Sequence, residues 1–114
     1  MLKRLAAVGA IAVMTAPGAQ ASPPIVGGQG LVPDAAALAH WAQDNFPGIT
    51  SIGGVRADKL PDHPSGRAVD LMIPNLAYGD QIYAALQENW ARFHIRYILY
   101  KVPSHWNHIH VTVD

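Results

Sequence analysis

Asp62-His63-Pro64-Ser65-Gly66-Arg67-Ala68-Val69-Asp70-Leu71-Met72-Ile73 runs a polar turn straight into a short apolar strand. Pro64 and Gly66 break regular structure, so residues 57–67 read as a loop. Residues 68–73 are apolar except for Asp70, and Pro74-Asn75 stops them. A carboxylate in the middle of a buried strand is costly unless it is paired or bound to a metal. The loop before it can fold His63 back over that carboxylate. Arg56 or Arg67 could instead pair with it.

A second such segment closes the chain, His105-Trp106-Asn107-His108-Ile109-His110-Val111. On a strand over 108–113, His108 and His110 project to one face, while Ile109 and Val111 face the other. Four of the six histidines thus fall in two short segments that flank or start strands. A single loop histidine is ordinarily solvated, and His-x-His alone is a weak signal. Taken together with the buried Asp70 they form a ligand set. A catalytic zinc takes three protein ligands from His nitrogen and carboxylate oxygen and keeps one position open. His63, Asp70 and His110 fit that count.

Between and before these segments the pattern gives two helices. Pro33-Asp34 opens an alanine-rich run ended by Pro47-Gly48, with Leu38, Trp41, Ala42 and Asn45 sharing one face. Gly79-Asp80 caps a second helix from Gln81 to about Phe93, with Ile82, Ala85, Leu86, Trp90 and Phe93 on one stripe. Residues 49–55 are β-rich. Residues 95–102 read as a strand with Ile95, Tyr97 and Leu99 on one face and Arg96, Ile98 and Tyr100 on the other. The order helix, strand, strand, helix, strand, strand predicts a small α+β domain over residues 34–114, a mainly antiparallel sheet flanked by two helices.

The N-terminal part reads differently. Met1-Leu2-Lys3-Arg4 is basic, residues 5–15 are apolar up to the last, and Ala19-Gln20-Ala21 is a small-x-small cleavage site. This is the order of a secretory signal peptide over residues 1–21. The apolar run is too short to span a bilayer, which takes about 20 residues. Residues 22–33 hold three prolines and three glycines and read as a leader with no packed element. Cleavage would remove Lys3 and Arg4, leaving six basic residues against eight acidic ones. Nucleic acid is then a poor partner, and no membrane insertion is expected after cleavage. The chain has no cysteine, which excludes both disulfides and a lipid anchor at the cleavage site. A monomer is expected, secreted or associated with the cell wall.

His63-x-x-Gly66-x-Ala68-x-Asp70 followed by His108-x-His110 resembles the D-Ala-D-Ala carboxypeptidase and murein endopeptidase family of zinc peptidases. Its superfamily includes lysostaphin and the hedgehog signalling domain. The resemblance covers roughly residues 52–113. It implies zinc held by His63, Asp70 and His110, with His108 beside the water to be activated. It also implies that Arg56 binds a substrate carboxylate or carbonyl and assists catalysis. Many relatives carry an Asp or Glu three residues before the distal zinc histidine, where this chain has Asn107. The base is then His108, or Asp58 or Asp62 reaching in from the loop, or hydrolysis has been lost. Trp106 is read either as a substrate contact flooring the groove or as core packing. The function implied is a secreted zinc peptidase acting on cell-wall peptides. The competing function is a zinc-stabilised module that binds such peptides, or a protein partner, without cleaving them.

Overall fold

The computed structural model describes residues 21–114. The signal-peptide reading of residues 1–21 therefore lies almost wholly outside the described residues. Seven elements follow in order: β1 (Ile25–Val26), α1 (Pro33–Asn45), β2 (Ser51–Gly53), β3 (Ala68–Met72), α2 (Leu76–Glu88), β4 (Ile95–Leu99) and β5 (His108–Val113). They build one five-stranded sheet in the order β1-β2-β3-β5-β4. Among the described residues only the β1–β2 pair is parallel. The expected class, a small α+β domain with a mainly antiparallel sheet and two helices, is the class observed. No described helix is long and apolar enough to cross a membrane.

The central pair β3–β5 decides what faces where. Val69 opposes Val111 and Leu71 opposes Ile109, while Ala68, Asp70 and Met72 oppose Thr112, His110 and His108. Because side chains alternate along a strand, the first set faces the helices and the second faces away from them. Leu38 and Ala42 of α1 and Ile82 and Leu86 of α2 pack with Val69, Leu71, Ile109 and Val111 into one buried apolar core. The polar face of the sheet is left for the loop of residues 54–67.

Four local expectations are corrected. Residues 22–33 are not an unpacked leader. Ile25 and Val26 pair with Ile52 and Gly53, Val55 N–H donates to Gly27 O at 2.8 Å, and Val32 N–H donates to Gly66 O at 2.9 Å. Pairing to an existing edge gives even a two-residue strand its backbone partners. Helix α1 buries Ala35 and Ala39 beside Leu38 and Ala42, and Asn45 is exposed, so its inner face is rotated from the expected one. Helix α2 begins at Leu76, five residues before Gln81, because Asn75 caps it by accepting Tyr78 N–H at 2.8 Å. It ends at Glu88, and Phe93 is buried from the turn beyond it. Finally, β4 is not regular. Ile95 pairs with Val113 but Tyr97 pairs with Thr112, leaving Arg96 as an extra residue. This bulge puts Ile95 on the core face and Tyr97 on the polar face.

Candidate metal centre

Gly66 anchors the loop that carries His63. Its φ of +77° suits glycine, and a Cβ there would run into the Gly30 carbonyl. The loop closes on itself through Gly66 N–H to His63 O at 3.1 Å and Arg67 N–H to Asp62 O at 3.0 Å. His63 is thereby driven under the sheet face, where it is 1% exposed. Asp70 and His110 are direct cross-strand partners on β3 and β5 and are both buried.

These three side chains offer ligand atoms that all lie within 4.8 Å of one another, and the group could hold a metal ion. The hydrogen bonds around it fit that use. His63 Nδ1–H donates to Gly54 O at 2.9 Å, since a carbonyl only accepts. That leaves Nε2 as a bare lone pair, buried and without a hydrogen-bond partner. It lies 3.2 Å from Asp70 Oδ2, another acceptor. His110 Nδ1 lies 3.1 Å from Asp70 Oδ1, and its Nε2 lies 2.7 Å from Thr112 Oγ1. An imidazole tied to a carbonyl on one nitrogen, with the other aimed at a buried carboxylate, is the usual setting of a metal-binding histidine. Burial raises the Asp70 pKa, but the hydrogen bond from His110 and the charge that His63, His108 and His110 carry when protonated outweigh it and bring it down to about 2. The carboxylate is thus ionised and ready to take a cation.

The surroundings form a cleft of about 250 Å³ lined by, among others, Arg56, Leu60, Tyr97, Leu99, His105 and His108. His108 Nδ1–H donates to Asn107 Oδ1 at 2.7 Å, which turns Nε2 toward Asp70, 3.8 Å from Oδ1. Burial lowers the His108 pKa, Asp70 raises it, and His105, His110 and Arg56 nearby lower it again, so it lies below 6.5. Arg56 sits just beyond β2, its side chain half exposed, shared between Asp58 at 3.2 Å and Asp70 at 3.3 Å. Trp106 is 55% exposed and stands outside the lining of the cleft, so it is neither core nor groove floor.

Of the two loop acids, Asp58 is held by Arg56 and by Lys59 N–H at 2.7 Å. Asp62 also lines the cleft, but it is engaged. Its Oδ2 accepts Thr112 Oγ1–H at 2.9 Å and the Tyr97 hydroxyl through a short contact. Thr112 and Tyr97 were not among the residues singled out from the sequence. A hydroxyl two residues after His110, on the same strand face, was the signal available.

A family model described as the VldE C-terminal domain matches residues 27–108, which include His63, Asp70 and His108. No curated protein and no solved structure matches the chain.

Proposed function

The chain belongs to the VldE C-terminal domain family, and from the site that this segment largely encloses we propose that it is an exported zinc peptidase hydrolysing peptides of the bacterial cell wall. The observation that carries the reading is the convergence of His63 Nε2, Asp70 and His110 Nδ1, three acceptors with no proton donor between His63 and Asp70. Two imidazoles and one carboxylate are a donor set that suits zinc. The order of these ligands along the chain, and their resemblance to the D-Ala-D-Ala carboxypeptidase motifs, support a peptidase over other zinc hydrolases.

The chemistry zinc supplies when bound is Lewis acidity, which polarises a carbonyl and acidifies water. His63, Asp70 and His110 would hold it. His108 takes up a proton at Nε2; Asn107 Oδ1 keeps Nδ1–H engaged, so Nε2 is the free nitrogen. A pKa below 6.5 keeps His108 in its accepting form at neutral pH. Arg56 reaches a substrate carboxylate by exchanging its exposed pairing with Asp58 for a bidentate one. Leu60 and Leu99 give the cleft apolar walls for small side chains.

A non-catalytic, zinc-stabilised binding module is the second reading. It is favoured by Asn107, and by the engagement of both Asp58 and Asp62, which leaves no free carboxylate facing the cleft. Zinc content measured on protein without a histidine tag, followed by incubation with cell-wall peptides, tests both. One zinc per chain with peptide cleavage that His108→Ala abolishes supports the peptidase. One zinc with binding and no cleavage supports the module, and no zinc in folded protein supplied with the metal rules out both.

A further inference from the structure

The geometry points to Asp62 and Thr112 as a hydrogen-bond relay that fixes which nitrogen of His110 is left bare for the metal. This rests on the metal reading above but concerns residues outside the ligand set. Thr112 is fully buried and lies on the same face of β5 as His110. Its hydroxyl has one proton to give and accepts on its lone pairs. That proton goes to Asp62 Oδ2 at 2.9 Å. Only lone pairs then remain toward His110 Nε2 at 2.7 Å, so Nε2 carries the hydrogen and donates. In the neutral ring Nδ1 is then the bare nitrogen, 3.1 Å from Asp70 Oδ1, to which it donates only when the ring is cationic.

The opposite arrangement would close the site. Were the Thr112 proton given to His110 Nε2, Nδ1 would carry the hydrogen and bond Asp70, satisfying the carboxylate that a cation needs. Asp62 prevents this by drawing the Thr112 proton away. Tyr97 secures Asp62 in that role by donating its own hydroxyl to the same oxygen. Its ring also stacks on His110, at 6.0 Å between centroids and 15° between planes, which restrains the imidazole. Tyr97 reaches this face because of the bulge at Arg96. Asp62, Thr112 and Tyr97 are therefore positioning residues; Asp62 is a poor base because its Oδ2 already accepts from two hydroxyls.

The test compares the parent with Thr112→Val, which keeps shape and loses the hydroxyl, and with Thr112→Ser, which keeps the hydroxyl. Zinc affinity is read by chelator competition, and the His110 tautomer by ring ¹⁵N shifts of the metal-free protein. Thr112→Val is expected to weaken zinc binding about 10-fold or more and to lose the Nε2–H form, with Thr112→Ser restoring both. Asp62→Ala frees the Thr112 proton and is expected to shift the tautomer in the same direction; it serves if Thr112→Val does not fold. An unchanged tautomer, with zinc affinity within about threefold of the parent in the folded variants, overturns the relay. A parent that takes up no zinc overturns the metal reading instead, and the tautomer shifts still decide the relay.

Discussion

His63 Nε2 and Asp70 Oδ2 face each other across 3.2 Å with no hydrogen bond between them. With a neutral His63 ring these are two buried acceptors that repel, and a buried polar atom without a partner is destabilising. A cation between them relieves both costs. Zinc is therefore expected to raise the melting temperature of the protein, and Asp70→Ala to remove that rise. Free zinc at about 100 times its dissociation constant corresponds to roughly 2.7 kcal/mol of added stability. Melting curves with zinc and with a chelator check this, and coincident curves would show that no metal fills the gap.

Asp70 also makes the metal-free protein sensitive to acid. Its folded pKa of about 2 lies below the ordinary 3.8. Stability from this depression is fully present above pH 3.8 and is lost as pH falls toward 2. The difference corresponds to roughly 2 kcal/mol, and the side chain is only 12% exposed, so solvent screening is slight. Urea unfolding at pH 5 and pH 2 is expected to show that loss in the parent. Asp70→Asn should lack this component of the pH dependence.

Gly66→Ala should damage fold and site together. The new Cβ meets the Gly30 carbonyl in a backbone conformation with φ of +77°. A cost of about 1–3 kcal/mol is expected. Because Gly66 N–H holds His63 O, zinc affinity should fall in the variant even where it remains folded. Equal stability and equal affinity would mean that the loop of residues 54–67 adapts without moving His63.

For a peptidase, His108→Ala is expected to lower kcat by about 10²- to 10⁴-fold while zinc content stays at the parent level. The acid limb of the parent rate profile should fall below pH 6.5, following the lowered pKa of His108. Arg56→Ala should act mainly through KM, and most on peptides with a free carboxylate. A rate insensitive to His108→Ala would move the proton-accepting role elsewhere.

Much of the fold was legible in the sequence because its central strands are short and apolar and have sharp ends. β5 was read with its observed bounds, and β3 to within a residue at Pro74. The group of His63, Asp70 and His110 that could hold a metal was legible because Asp70 has no apolar explanation and His110 lies on an alternating strand. What escaped reading depends on the third dimension. β1 has only two residues and is held by pairing to β2. Asn75 as a cap was masked by Gly79-Asp80, which looks like a helix start but lies inside α2. The bulge at Arg96 follows no local pattern, so Tyr97 was placed on the face of Ile95 instead of that of Thr112. The layer behind His110 was missed for the same reason.

The strict alternation of β5 divides its six residues into two independent vocabularies. Ile109, Val111 and Val113 belong to the helices, while His108 and His110 line the cleft and Thr112 supports His110 from the same face. Exchanges among the first three are expected to be registered as melting temperature, and exchanges among the second three as reactivity. The strand can thus be redesigned for a new ion or substrate on one side while its packing on the other is left untouched.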